Sequence, residues 1–188
     1  MMSTKKTIQQ QESFQNIWFI DIDGTLTDAT RREQFAYHSG VVEGSYGSKR
    51  SFPKGKEVFE ATFHNPMLLT NDTTMPFASS MMRMLEYDDN QVIFLTARKI
   101  WMGEATKEDL VTRNLWKKSS QLICKPTHYP WDSSRFKAEM IFATSLRYPH
   151  CSLIFVDNCK KNREVAKKMN PKLKIYSSCK EALVGRES

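Results

Sequence analysis

The feature that most constrains this chain is a short apolar run that ends on two carboxylates. Residues 17–27 read IWFIDIDGTLT, so four apolar residues lead directly into Asp21 and Asp23. Such a run is typical of a strand covered on both faces, as in a parallel sheet. Side chains alternate along an extended segment, so the two aspartates are expected to point to the same side. Neighbouring carboxylates repel each other unless a cation lies between them, which predicts a site for a hard cation such as magnesium.

Apolar runs and helical patterns alternate along most of the chain. The predicted strands cover residues 17–20, 91–98, 121–124, 152–158 and 174–177. The predicted helices cover residues 54–65, 76–87, 107–118, 133–148 and 162–169. Strands that alternate with helices in this way predict an α/β fold built on a doubly wound, Rossmann-like parallel sheet.

Length and composition predict one domain. The chain has 188 residues, of which 40% are hydrophobic and 26% charged, as in ordinary globular proteins. We expect a flexible tail at 1–15 and a single domain at 16–188, with an insert at about 29–75 after the first strand. The insert has weak periodicity and contains the basic residues Lys49, Arg50, Lys54 and Lys56. No apolar run approaches the roughly 20 residues that cross a bilayer, and the amino terminus lacks the apolar core of a secretory signal. We therefore expect a cytoplasmic protein with no membrane partner.

Polar residues also stand at the ends of the other predicted strands. Thr96 ends the second clear strand, and Asp157 with Asn158 ends the strand that begins near residue 152. Ligands of an open parallel sheet bind beyond the carboxyl ends of its strands, so these residues are expected to meet the aspartate pair there. Gly24 and Thr25 are expected to form a tight turn that presents N–H groups to phosphate oxygens. With a metal bound, one carboxylate of the pair is suited to act as a nucleophile toward phosphorus.

These residues also carry a family resemblance. DIDGTLT resembles the first motif of the haloacid dehalogenase superfamily, and LTAR, SSRFKAEMI and FVDN supply its other motifs in order. The resemblance covers residues 17–177. Within the superfamily, the chain is most similar to the 3′-phosphatase domain of phage-type polynucleotide kinase-phosphatases. The segments that carry this similarity are DGTLTDATRR, KEVFEATF, NDTTMPFASSMMRML, IFLTAR, LICKP and RFKAEMI.

The resemblance implies a role for each site residue. Asp21 is the implied nucleophile and Asp23 the implied general acid and base. Thr96 and Lys137 hold the phosphoryl oxygens, and Asp157 completes a magnesium site with the Asp21 carboxylate and the Asp23 carbonyl. The residues implied to bind substrate are Gly24, Thr25, Ala97, Arg98 and Asn158.

Several of these residues also have ordinary structural interpretations. Thr96 suits a strand or a helix N-cap, and Asp157 suits an N-cap. A lysine on an amphipathic helix is usually solvated, and Lys125 competes with Lys137 for the same role. The chain also departs from the family pattern, which often has a second acidic residue after the fourth-motif aspartate. Asn158 and Asn162 stand there instead, so a weaker metal site is expected.

Together these observations predict a magnesium-dependent phosphomonoester hydrolase that acts through an aspartyl-phosphate. The predicted substrates are nucleic-acid 3′-phosphate ends, and the net charge of +7 suits a polyanion. A nucleotidase or small-metabolite phosphatase is the alternative, followed by a non-catalytic nucleic-acid-binding module. The aromatic residues that follow the second and third strands are expected to pack inside the protein rather than to stack on bases; these are Trp101, Trp116, Tyr129 and Trp131.

Overall fold

The computed structural model describes residues 14–44, 53–86 and 89–185. The predicted tail at 1–15 lies almost entirely outside these ranges. Lys49 and Arg50 of the predicted insert also lie outside them, as does the side chain of Lys54.

Five parallel strands form the main sheet. They are β1 (Asn16–Ile20), β4 (Asn90–Lys99), β5 (Gln121–Lys125), β6 (Ser152–Val156) and β7 (Lys174–Tyr176). Their order across the sheet is β5-β4-β1-β6-β7. Each corresponds to a predicted strand, so the predicted α/β class with a Rossmann-like parallel sheet is confirmed. A separate antiparallel pair of two-residue strands joins β2 (Thr27–Asp28) to β3 (Thr73–Thr74).

The central strands are apolar because helices cover both faces of the sheet. Alternate residues of β1 point to opposite sides, so Trp18 and Ile20 belong to one buried cluster while Ile17 and Phe19 belong to the other. In register, Ile20 lies between Phe94 of β4 and Val156 of β6. This alignment brings the carboxyl ends of β1, β4 and β6 side by side.

Seven α-helices surround the sheet in the described part of the chain. They are α1 (Thr30–Gly44), α2 (Pro53–Phe63), α3 (Ala78–Met84), α4 (Gly103–Thr112), α5 (Ser133–Arg147), α6 (Lys160–Met169) and α7 (Cys179–Val184). Short 3-10 helices cover Pro66–Asn71 and Ile100–Met102. None of the helices within these described ranges has both the length and the apolar character needed to span a bilayer.

The structure differs from the sequence prediction in three helices, of which the short helix α7 was not predicted at all. Apolar periodicity did not predict α1, which packs against α2 inside the predicted insert. Within residues 30–40 of α1, whose burial the structure describes, the buried positions are Arg32, Ala36 and Gly40, which share one face but carry almost no apolar surface. The predicted helix at 107–118 begins at Gly103 and ends at Thr112, because Asn114 takes a left-handed conformation with φ 57°.

Candidate active site

The aspartate pair lies at the carboxyl edge of the sheet, where β1 passes into a loop. Asp21 N donates to Val156 O of β6 at 2.9 Å, so the sheet pairing continues one residue beyond β1. On the neighbouring strand, Asp157 N donates to Tyr176 O of β7 at 3.2 Å. Backbone pairing therefore fixes Asp21 and Asp157 next to each other before any side-chain contact is made.

Lys137 joins these two aspartates. Its Nζ lies 2.6 Å from Asp21 Oδ1 and 2.7 Å from Asp157 Oδ2. We call Asp21, Lys137 and Asp157 the lysine cluster. All three residues are buried, and only 1% of Lys137 is exposed, so the interpretation of Lys137 as a solvated helical lysine is wrong. Burial opposes the charge of the ammonium, but the two carboxylates outweigh it and raise the pKa of Lys137.

The lysine cluster has two carboxylates and one cation. Burial raises the pKa of Asp21 from 3.8 to about 7, although Lys137 lowers it; the charge of Asp157 raises it further. One negative charge is therefore left without a partner at this point. A further cation bound at this site would neutralise the remaining charge.

Hydrogen bonds from α6 and α5 hold Asp157 in place. Cys159 N donates to Asp157 Oδ1 at 2.7 Å, and Asn162 Nδ2 donates to Asp157 Oδ2 at 2.9 Å. Ser134 Oγ in turn donates to Asn162 Oδ1 at 2.7 Å. Asn162, which was identified only as a departure from the acidic family pattern, therefore orients an aspartate of the site.

Asp23 binds different cations. Arg98 Nη2 and Arg32 Nη2 lie 2.7 and 2.5 Å from Asp23 Oδ1. Burial on its own favours the protonated form of Asp23, but Arg98 and then Arg32 outweigh it and lower the pKa of this carboxyl. Asp21 and Asp23 thus follow one another at two-residue spacing but do not share a partner.

Asp72 completes this second group. Arg32 Nη2 and Arg98 Nη2 lie 2.9 and 3.2 Å from Asp72 Oδ2. We call Asp23, Asp72, Arg32 and Arg98 the arginine cluster. It contains two carboxylates and two guanidiniums, so its formal charges balance. Both guanidiniums are fully buried, so neither arginine is a surface charge.

Two features of the chain aim the guanidiniums at Asp23. The pairing of β4 with β5 is irregular between Thr96 and Lys99, and a bulge of this kind redirects the side chains of a strand. Arg98 lies within it, and its backbone N–H donates to Thr96 Oγ1 at 3.2 Å. Arg32 comes from α1 and contacts the last residue of α2, Phe63. Phe63 O accepts a bond from Arg32 Nη1 at 2.8 Å, and the centre of the Phe63 ring lies 4.3 Å from Arg32 Cζ.

Sequence reasoning did not identify Arg32 or Asp72 as site residues. Both stand inside segments that carried the family similarity, DGTLTDATRR and NDTTMPFASSMMRML. Arg32 occupies a helix position where an apolar residue would have been expected, and its partner Asp72 follows 40 positions later. The only available signal was therefore motif similarity, because no local pattern predicts that pair.

The turn after Asp23 differs from the prediction. Gly24 N donates to Thr27 O at 2.6 Å and Thr25 N donates to Ile22 O at 3.1 Å, so both N–H groups are already engaged within the loop rather than free for phosphate. Gly24 has φ 81°, and a Cβ there would lie 2.3 Å from Asn158 Nδ2. Thr25 instead receives a bond from Asn158 N to its Oγ1 at 3.1 Å. These two residues shape the loop against Asn158.

The remaining predicted residues lie at the same edge. Thr96 is 1% exposed near the end of β4, where its hydroxyl oxygen accepts the bond from Arg98 described above. Ala97 is half-buried beside it, whereas Asn158 is exposed. Lys125, the competing lysine, is half-buried at the end of β5 and takes no part in the lysine cluster. The structure therefore selects Lys137 over Lys125 as the lysine beside Asp21.

Magnesium fits the lysine cluster. Asp21 and Asp157 supply hard carboxylate oxygens and carry the uncompensated negative charge. Across residues 14–44, 53–86 and 89–185, no three acidic, histidine or cysteine side chains converge as a metal site. Any further ligands would then be main-chain or amide oxygens and water. This arrangement is compatible with magnesium, which usually retains several waters.

Comparison with known proteins gives information on the fold. No protein-family model and no curated protein matches the sequence. A haloacid dehalogenase-like hydrolase from Streptococcus pneumoniae superposes with a TM-score of 0.65 at 12% identity, covering 91% of this chain and 98% of that one. The haloacid dehalogenase domain of the effector Lem4 from Legionella pneumophila gives 0.57 at 11% identity, covering 94% and 95%.

A third solved structure is CbbY from Rhodobacter sphaeroides in complex with phosphate. It superposes with a TM-score of 0.57 at 10% identity, covering 87% of this chain and 88% of that one. Identities this low carry information about architecture alone, and all three matches extend over most of both chains. The chain therefore has the haloacid-dehalogenase-like fold.

Proposed function

We propose that this protein is a magnesium-dependent phosphomonoester hydrolase that acts through an aspartyl-phosphate. The observation that carries the proposal is the lysine cluster at the carboxyl edge of the sheet. It places an under-neutralised carboxylate, Asp21, beside a buried ammonium. Magnesium bound there would neutralise charge on the carboxylates and on the phosphoryl group.

The proposed reaction has two steps. Asp21 attacks phosphorus through a carboxylate oxygen, and the bond from phosphorus to the leaving oxygen breaks. Lys137, held 2.6 Å from Asp21 Oδ1, offsets the negative charge that gathers on the phosphoryl oxygens. Water then attacks the aspartyl-phosphate, which releases phosphate and restores Asp21.

Asp23 is suited to transfer the protons of both steps. It would protonate the leaving oxygen in the first step and accept a proton from water in the second. Both guanidiniums of the arginine cluster bind its Oδ1. Since arginine binds phosphate in a similar forked geometry, a substrate phosphate would compete with Asp23 for Arg98 or Arg32.

The proposed substrate is a nucleic-acid end that carries a 3′-phosphate. The similarity of the motifs and the net charge of +7 support this class. A nucleotidase or small-metabolite phosphatase is the second candidate. The full burial of Arg32 and Arg98 favours this candidate. Buried cations offer no extended surface to a polymer, whereas a small ester needs only the immediate site.

The first experiment compares the parent protein with Asp21→Asn on an aryl phosphate in the presence of Mg²⁺. We expect a loss of roughly 10⁴-fold or more in kcat, because the amide is a poor nucleophile. Asp132→Asn is the matched control, since Asp132 is exposed and asparagine also caps helices. A parent protein with no activity would favour the non-catalytic binding module instead.

The second experiment separates the two substrate classes. It compares phosphate release from a 3′-phosphorylated oligonucleotide with release from 3′- and 5′-mononucleotides. We expect higher kcat/KM for the oligonucleotide, with a rate that falls as salt rises. Faster turnover of the mononucleotides, together with an oligonucleotide rate that ignores salt, would assign the protein to the small-ester class.

A further inference from the structure

Two tryptophans are exposed at the same edge of the sheet as Asp21. Trp101 is 55% exposed and Trp131 is 52% exposed, whereas Trp18 is only 3% exposed. Trp101 lies in the 3-10 turn directly after β4, and Trp131 lies in the loop between β5 and α5. The expectation that these two side chains pack inside the protein is therefore wrong.

The other two aromatic side chains for which packing was expected do pack against other rings. Trp116 stacks on Phe94 at 5.5 Å between ring centroids, and Tyr129 packs edge-on against Phe136 at 5.4 Å. At the carboxyl edge of the sheet, the protein thus packs the Tyr129 ring and leaves Trp101 and Trp131 about half exposed. Both exposed rings follow the ends of β4 and β5, the two strands on one side of β1.

Two lysines stand at the ends of the same two strands that the exposed rings follow. Lys99 pairs with Lys125 in register at the ends of β4 and β5, and like charges directly opposite each other destabilise a sheet. Lys125 is half-buried; burial and the charge of Lys99 lower its pKa, while Asp132 and Glu60 oppose them. Neither lysine forms an ion pair with another residue of the described part of the chain. An anion bound between them would relieve the repulsion.

A guanidinium and an imidazole also lie against the rings. The Arg135 guanidinium lies 4.5 Å from the ring centroid of Trp131, and His64 meets Trp101 edge-on at 6.5 Å between centroids. Exposed aromatic rings interleaved with basic side chains are the arrangement by which proteins bind single-stranded nucleic acid. The rings stack on bases, and the cations contact the backbone phosphates.

We propose that Trp101, Trp131, Lys99 and Lys125 form a track for the single strand that precedes the terminal 3′-phosphate. The track crosses from β1 over β4 to β5, about 10 Å at a strand spacing of ~4.8 Å. The nucleotides next to the terminal one lie along it, with bases on the two indole rings and a backbone phosphate between the lysines. This inference rests on the proposed function, because it takes the terminal phosphate to lie at Asp21.

Binding provides the first test, and it needs neither Mg²⁺ nor turnover. A labelled single-stranded oligonucleotide with a 3′-phosphate is titrated by fluorescence anisotropy against the parent protein and variants. We expect Trp101→Ala and Trp131→Ala each to weaken binding on the order of tenfold, and the Phe variants to recover most of it. Lys99→Gln with Lys125→Gln is expected to reduce the slope of log K against log salt by about 0.7 per lysine.

Phe142→Ala is the matched control. Phe142 is 42% exposed on α5, more than two turns beyond the first residue of that helix. We expect it to leave oligonucleotide binding unchanged. Equal effects of the Phe142 and tryptophan substitutions, or unchanged binding in all of them, would overturn the track. A track that binds a peptide and not the oligonucleotide would also overturn it.

Kinetics provide the second test and separate failure of the track from failure of the proposed function. We expect Trp101→Ala and Trp131→Ala to lower kcat/KM for the 3′-phosphorylated oligonucleotide about tenfold each, with much smaller changes for a 3′-mononucleotide. Equal losses on both substrates would overturn the track but not the hydrolase. A parent protein inactive on aryl phosphate, yet with tryptophan-dependent oligonucleotide binding, would overturn the proposed function alone.

Discussion

The lysine cluster and the arginine cluster contain the same number of carboxylates but different numbers of cations. Asp21 and Asp157 share one ammonium, whereas Asp23 and Asp72 share two guanidiniums. Both groups are largely buried, so their charges are weakly screened. The first group has an excess negative charge, and the second is neutral.

This difference assigns different tasks to two aspartates that are one residue apart. A buried excess charge is unfavourable until something neutralises it, which supports the proposed roles of Asp21 in metal binding and in attack on phosphorus. A balanced ion network instead stabilises a particular geometry, and Arg32 uses it to tie α1 to the loop that carries Asp23. Charge balance therefore distinguishes the lysine cluster, which has an excess negative charge, from the arginine cluster, which is neutral.

The largest expected effect comes from breaking the balanced cluster. Asp72→Asn leaves two fully buried guanidiniums with Asp23 as the remaining carboxylate. We expect the free energy of unfolding to fall by about 3–5 kcal/mol, the usual result of removing one member of a buried ion pair. Urea denaturation at pH 7.5 measures it.

Asp132→Asn is the control for this substitution. Asp132 pairs with Lys161 at 2.6 Å, but half of its side chain is exposed. Exposed pairs contribute about 1 kcal/mol or less, and asparagine retains the N-cap bond to Arg135 N. Equal losses of unfolding free energy in the two variants would contradict the idea that burial makes the ion pairs of the arginine cluster important for stability.

The second effect is stabilisation of the lysine cluster by Mg²⁺. At a hundredfold excess over Kd, bound Mg²⁺ is expected to raise the free energy of unfolding by about 2.7 kcal/mol. Because the pKa of Asp21 is about 7, a proton competes with the metal below that pH, and affinity is expected to fall as pH drops from 8 to 6. Thermal unfolding with and without Mg²⁺ measures this. Asp157→Asn is expected to remove the stabilisation and Asp132→Asn to retain it.

The third effect concerns Asp21 without metal, where the excess charge predicts a stabilising substitution. The pKa of Asp21 is about 7 in the folded protein, against 3.8 for an unperturbed aspartate, so the native protein becomes less stable as pH rises through this window. Asp21→Asn removes that dependence. We expect a gain of about 1–2 kcal/mol at pH 8 that disappears near pH 4, measured by urea denaturation at both pH values. A variant less stable than the parent at pH 8 would show that the charge is already compensated.

The sequence predicted the lysine cluster better than the arginine cluster, and the reason is physical. Asp21 and Asp157 follow continuous apolar runs, and parallel strands bring such endpoints to one edge. Lys137 lies on a helix whose apolar pattern gives no indication of a buried lysine, so only the order of motifs identified it. The positions of Asp21 and Asp157 could therefore be predicted from the sequence, because they follow from the sheet topology.

The arginine cluster has no such local signal. Arg32 and Asp72 come from different elements of the predicted insert, and their pairing depends on how α1 docks near the loop after β1. Over residues 30–40, the buried face of α1 consists of arginine, alanine and glycine, which a search for apolar periodicity does not detect. The same limitation applied to Trp101 and Trp131, because composition does not distinguish a buried indole from an exposed one.

The smallest expected effect tests whether the lysine cluster accepts still more negative charge. Asn158 stands beside Asp157 and against the turn at Gly24 and Thr25, where a second acidic residue was expected. Asn158→Asp is expected to tighten Mg²⁺ binding about two- to fivefold, because the residue is exposed and solvent screens the added charge. Isothermal titration at pH 8 measures Kd, with Asn65→Asp, at the N-cap of the 3-10 helix, as the control for added charge elsewhere. An equal change in both variants would indicate long-range attraction, whereas weaker binding in Asn158→Asp would mean that the Asn158 amide itself supports the site.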